Sequence, residues 1–274
     1  MFLRVNGLRY HLKVSGEGTP LLLLHGFTGS ASDWEPFVQQ WKADYRIIRV
    51  DLIGHGQTEA PEDHRRYGVE PAAADLAAIL DALHIRRAHL LGYSMGGRLA
   101  LSFALLHPDR VRSLILESSS PGLADEAARE ERMHSDAALA DRIEKEGVES
   151  FVAGWEEIPL FATQKRLPES IRLRIREQRL RNRPKGLAGS LRGMGTGTQP
   201  SWWSRLDQLN RPVLLIVGEW DEKFRKIAEE MKKRLLRAET VIVPKAGHTV
   251  HVEHPESFGI IVVDFMKQRD RWDY

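Results

Sequence analysis

Gly92-Tyr93-Ser94-Met95-Gly96 is a G-x-S-x-G pentapeptide. A serine hydroxyl is a weak nucleophile and a weak base. Its chemistry needs a histidine to take the proton and an acid to orient that histidine. The pentapeptide follows an apolar run, Ala88–Leu91, and opens a helical pattern, Met95–His107. Strand, tight turn and helix form the setting of a nucleophile elbow. Two more candidates lie downstream. Asp221 follows the apolar run Pro212–Val217, and His248 follows Thr240–Val243. The chain order is therefore Ser94, Asp221, His248, with gaps of 127 and 27 residues. Each residue sits just past a strand, where an open α/β sheet builds its site. Taken alone, Asp221 reads equally well as the cap of the helix that follows it. Glu117 and Glu219 also sit at strand ends and are alternative acids.

An oxyanion would need donors beside the serine. The N–H of Met95 opens the helix after Ser94 and supplies one. The loop His25-Gly26-Phe27 follows the strand Leu21–Leu24 and offers the Phe27 N–H as a second. His25 itself reads as a structural histidine of that loop. Asp51-Leu52-Ile53-Gly54-His55-Gly56 reads as a tight loop that shapes the site without doing chemistry. His248, His251 and His254 recur every third residue, but no carboxylate spacing completes a metal site. No phosphate loop or dinucleotide fingerprint is present. Neither a metal nor a cofactor is expected.

These residues need a scaffold. Strand patterns at Phe2–Val5, Leu8–Val14, Leu21–Leu24, Arg46–Val50, His89–Leu91 and Val111–Leu116 alternate with helical patterns at Glu35–Trp41, Pro71–Leu83 and Met95–His107. That alternation builds a mostly parallel sheet. The rhythm stops from Pro121 to about Pro200, where the chain is helical and charge-rich. It resumes with the strand Pro212–Val217, the helix Lys223–Leu236, the strand Thr240–Val243 and a closing helix, Pro255–Lys267. The expectation is an α/β core of residues 1–120 and 201–274 with a helical insert at 121–200.

The 274 residues include no Cys, 40 basic and 38 acidic side chains. Disulfides, thiolate metal sites and a cysteine nucleophile are excluded. Near-neutral charge disfavours a nucleic-acid partner. No apolar run near the start reaches the roughly 20 residues of a membrane span, and Met1–Gly18 lacks the apolar stretch of a signal peptide. A cytoplasmic protein is expected. The charge is uneven, however. Residues 164–185 carry nine basic and two acidic side chains. Arg172, Arg176, Arg179 and Arg183 fall on one stripe if helical, and Arg98 lies one turn after Ser94. Arginines converging on Ser94 would select an anionic substrate.

His25-Gly26-Phe27, Gly54-His55-Gly56, Gly92–Gly97 and Gly247-His248 together resemble the α/β-hydrolase superfamily across the whole chain. The resemblance implies a mostly parallel eight-stranded sheet with helices on both faces and a helical cap at 121–200. More specific stretches resemble one subfamily. They are Gly92-Tyr93-Ser94-Met95-Gly96-Gly97-Arg98, Glu117–Leu123, Arg132 with Ser135-Asp136, Trp155 with Pro159-Leu160-Phe161, Thr196–Ser201 and Gly218–Phe224. That subfamily is the 2-succinyl-6-hydroxy-2,4-cyclohexadiene-1-carboxylate synthases of menaquinone biosynthesis. It implies a lyase that eliminates pyruvate from a tricarboxylate, with Ser94, His248 and Asp221 as its base. It further implies Phe27 and Met95 as oxyanion donors, and Arg98, Arg132, Trp155, Arg179 and Tyr93 as substrate-binding residues. Two other readings stay open on the residues alone. One is a serine hydrolase acting on an anionic ester or a C–C bond beside a ketone; the other is a non-catalytic receptor.

Overall fold

Asn6 and Gly7 both adopt positive φ, 47° and 84°. This is the turn geometry that joins twisted antiparallel strands in two residues. It closes a hairpin of β1 (Phe2–Val5) and β2 (Leu8–Ser15). The computed structural model describes residues 1–270. The remaining strands are β3 (Thr19–Leu24), β4 (Tyr45–Val50), β5 (Ala88–Tyr93), β6 (Val111–Glu117), β7 (Val213–Gly218) and β8 (Ala238–Val243). They form one eight-stranded sheet in the order β1-β2-β4-β3-β5-β6-β7-β8. β2 pairs antiparallel to β4, and every later pair is parallel. The chain thus has the α/β architecture expected from its alternation.

The pleat sends alternate side chains to opposite faces. Leu22 and Leu24 join one core with α2 (Val69–Ala82), α3 (Met95–Leu106) and α7 (Glu222–Arg234). Leu21 and Leu23 join the other with α1 (Glu35–Trp41) and α9 (Pro255–Asp270). Both faces are covered, so the central strands read as continuous apolar runs. Their carboxyl ends converge on one edge, and β5, β7 and β8 deliver Ser94, Asp221 and His248 there.

Between β6 and β7 the chain is helical: α4 (Glu126–Trp155), α5 (Glu169–Leu180) and α6 (Pro184–Met194). Ile143, Phe151, Val152, Leu187 and Leu191 give these helices a small core of their own, against which Phe27 packs. Two details differ from the sequence pattern. The basic stripe is not one helix: α5 ends at Leu180, and Arg183 is extended (φ −98°, ψ 135°), because the residue before Pro184 is driven out of the helical region. α4 is broken at Gly147, with φ 86° and ψ 172°. Among the described residues, no helix is long and apolar enough to cross a membrane.

The two glycines of α4, Gly147 and Gly154, should respond oppositely to alanine. Neither added Cβ would meet an atom within 4 Å, so backbone conformation alone decides. Gly147→Ala should lose about 1–3 kcal/mol, since its conformation is essentially reserved for glycine. Gly154→Ala should gain about 0.5–1 kcal/mol. Urea unfolding of the two variants checks the contrast; equal shifts would contradict it.

Candidate active site

Ser94 has φ 49° and ψ −107°. A non-glycine residue there stores on the order of 1–3 kcal/mol, so its neighbours must hold it in place. A Cβ on Gly96 would lie 2.3 Å from the Leu24 carbonyl oxygen, and one on Gly92 would lie 2.3 Å from that of Gly96. Glycines therefore let α3 begin against the ends of β3 and β5. The Ser94 N–H donates to the Glu117 carbonyl on β6 (2.9 Å), and the Arg98 N–H donates to the Ser94 carbonyl (3.0 Å). Ser94 is the N-cap of α3 but caps nothing with its side chain. Its hydroxyl is left free for another partner.

That partner is His248. Nε2 lies 3.2 Å from Ser94 Oγ, and Nδ1 lies 2.7 Å from Asp221 Oδ2. A carboxylate can only accept, so Nδ1 carries the proton and the Nε2 lone pair faces the serine. His248 is buried, with the Phe224 ring at 4.6 Å and the Tyr93 ring at 5.5 Å. Asp221 does both things its position suggested: Oδ1 accepts the Phe224 N–H at the start of α7 while Oδ2 holds His248. The alternative acids are engaged elsewhere. Glu219 accepts the Lys245 N–H (2.9 Å), and Glu117 pairs with His251 (2.8 Å).

The loop after β3 is held by histidines. His25 Nε2 accepts the Leu52 N–H (3.0 Å), so its Nδ1–H donates to the Gly26 carbonyl (2.7 Å). Asp51 accepts the N–H groups of Ala31 (2.7 Å) and Gln57 (2.8 Å) and contacts His11 Nδ1 (2.8 Å). Burial pushes the Asp51 carboxyl up, but these donors outweigh it and hold it low. Burial, and then His25, push the His55 ring down to about 3, so His55 is neutral. Thr28 adopts φ 68°, and its carbonyl accepts a hydrogen bond from Asn182 Nδ2 (2.7 Å). The N–H groups of Phe27 and Met95 donate to no acceptor among the described residues.

Cations and aromatic rings complete the surroundings. Arg98 Nη1 donates to Gln199 Oε1 (2.6 Å), and Arg98 has no carboxylate partner among the described residues. Burial, and then the nearby charge of Arg132, lower its pKa to about 10. Arg132 Nε donates to Asp136 (2.8 Å). Trp155 meets Phe27 at 5.5 Å, and its indole N–H is buried without an acceptor. Arg179 is buried, 3.1 Å from Gln164 and 3.6 Å from Glu156, over the Phe161 ring. The rest of the basic stripe does not converge on Ser94. Arg176 pairs with Glu156, Arg183 donates to the Thr58 carbonyl, and Arg172 is exposed. A cavity of about 770 Å³ is lined by Phe27, Tyr93, Phe161 and Arg179, but not by Ser94, His248, Arg98 or Arg132. Tyr93 and Phe161 stand between it and His248.

This fold and site define an α/β hydrolase, and the alpha/beta hydrolase fold family matches residues 19–255. Within it the chain belongs to the 2-succinyl-6-hydroxy-2,4-cyclohexadiene-1-carboxylate synthase family. A Bacillus subtilis (strain 168) protein named provisionally for that activity is 52% identical, over 95% of this chain and 96% of its own. The Salmonella typhimurium synthase is 34% identical over 92% and 94%. The solved structure of MenH from S. aureus is 36% identical with a TM-score of 0.91, covering 95% of this chain and 98% of that one.

The neutral His55 makes a pH prediction. Its folded pKa lies below the ordinary 6.5, so the unfolded chain binds the extra proton first. The stability it contributes is complete above pH 6.5 and is lost as the pH falls toward 3. Between pH 7 and pH 4 that loss is about 3 kcal/mol. His55→Asn keeps a donor for the Ile53 carbonyl that His55 Nδ1 contacts at 3.0 Å. The variant's loss of unfolding free energy between those pH values should be smaller by that amount; an unchanged loss would contradict the assignment.

Proposed function

We infer that the chain eliminates pyruvate from 2-succinyl-5-enolpyruvyl-6-hydroxy-3-cyclohexene-1-carboxylate, giving 2-succinyl-6-hydroxy-2,4-cyclohexadiene-1-carboxylate for menaquinone biosynthesis. The family membership supports the activity. The observation that carries the mechanism is an arginine without a carboxylate partner, one turn from a serine already bonded to an oriented histidine. An ester hydrolase of neutral substrates has no use for that charge.

His248 takes the Ser94 hydroxyl proton, and Asp221 stabilises the imidazolium. The serine oxygen then removes the ring C–H proton beside the succinyl ketone. Negative charge develops on the ketone oxygen, where the Phe27 and Met95 N–H groups are the donors. The electron pair moves through the ring alkene and expels the enolpyruvyl oxygen. The departing enolate takes a proton at carbon and leaves as pyruvate, so one proton moves from ring to product. Arg98, Arg132 and Arg179 bind the carboxylates of this tricarboxylate. The Trp155 indole N–H donates to it, and Tyr93 walls the ring. The helices of residues 121–200 act as the substrate-binding cap.

Pyruvate release, followed beside hydrolysis of a nitrophenyl ester, tests the reading. Wild-type protein should release pyruvate rapidly and cleave the ester poorly. Ser94→Ala should lose pyruvate release at least about 10³-fold, and Asp221→Asn about 10⁴-fold through the wrong tautomer. Arg98→Ala should lower kcat/KM about 10–100-fold, the worth of one charge-assisted hydrogen bond. Brisk Ser94-dependent ester cleavage without pyruvate release would overturn the assignment.

A further inference from the structure

Glu117 is completely buried at the end of β6, yet it belongs to neither the triad nor the cation set. Its two polar ends face two parts of the site. The carbonyl accepts the Ser94 N–H (2.9 Å). The carboxylate accepts the backbone N–H of His251 (3.0 Å) and grips its Nδ1 with both oxygens, at 2.9 and 2.8 Å. His251 lies three residues past His248, in the short helix α8 (Val250–Glu253). One buried residue thus ties the backbone of the serine to the segment that carries its base.

Other contacts hold the histidine segment without reaching Ser94. Glu253 accepts the N–H groups of Gly247 (2.8 Å) and Thr249 (3.2 Å), and Gln164 donates to the Thr249 hydroxyl (2.7 Å). Tyr93 fills the space between the two histidines, 5.5 Å from the His248 ring and 4.8 Å from that of His251. Burial drives His251 toward its neutral form, but Glu117 outweighs it and the pKa is raised. Both residues are buried, and a buried charge left without its partner is costly. The Ser94–His248 contact is 3.2 Å, at the long limit of proton-transfer geometry. A small shift of the segment would break it.

We propose that Glu117, through His251, is a positioning residue that sets the Ser94–His248 distance. This rests on the serine-triad reading of the function. The role predicts a loss in rate without a loss in binding, because neither side chain is in the cation set that grips the substrate. A residue that only stabilised the fold would change the amount of active protein, not the rate of each active molecule.

The test compares Glu117→Gln and His251→Gln with wild type in two assays, each normalised to active sites. One is pyruvate release. The other is the rate at which a small organophosphonate labels Ser94, which needs no natural substrate. In both variants kcat should fall on the order of 10–100-fold with KM within about threefold, and labelling should slow by the same factor. The double variant should lose no more than the worse single, because both act on one contact. His251→Gln retains the Glu117 carboxylate and carries the test if Glu117→Gln does not fold. Folded variants with wild-type kcat and labelling would overturn the proposal. Full pyruvate release in Ser94→Ala would instead overturn the functional reading and leave the labelling result to judge the geometry.

Discussion

The rest of the site depends on a serine held in a backbone conformation that it disfavours. Ser94 stands at φ 49° because α3 starts directly against the ends of β3 and β5. Only glycines at 92 and 96 permit that approach. Relaxing the turn would relieve strain but separate the hydroxyl from His248. The local cost is offset by burial on both faces of the sheet, where two apolar cores fix the strands. The elbow is thus bought with packing energy far from the chemistry.

A second constraint is electrostatic. Most buried donors and charges in a folded protein are matched. Around Ser94 several are not: the Arg98 charge, the Trp155 indole N–H and the N–H groups of Phe27 and Met95. All are donors or cations. Leaving such groups unmet costs about 1–3 kcal/mol each, and an anion rich in acceptor oxygens would satisfy them. In the helices between β6 and β7, Arg132, Arg176, Arg179 and Arg192 are each paired with an acid. Charge density in sequence therefore overstated the number of arginines available to a ligand.

Much of this was legible in the sequence, for identifiable reasons. The central strands are short apolar runs bounded by turn residues, and Asn6-Gly7 marks the hairpin of β1 and β2, so all eight could be placed. Their ends then located Ser94, Asp221 and His248, because a parallel sheet gathers its carboxyl ends on one edge. The break in the basic stripe was harder: it depends on Pro184 acting on Arg183, a local effect that helical periodicity ignores. The pairing of Glu117 with His251 was not legible. It depends on β6 and α8 meeting in space across 134 residues of chain.

The central claim is that Ser94 acts as a base toward carbon and forms no covalent bond to the substrate. The most direct measurement is the kinetic isotope effect on kcat/KM for substrate deuterated at the ring carbon beside the succinyl ketone. The expected result is a normal primary effect, from proton removal by Ser94 in the rate-limiting part of the reaction. An effect of unity, with an acyl adduct on Ser94 in the mass spectrum of the working enzyme, would contradict the account.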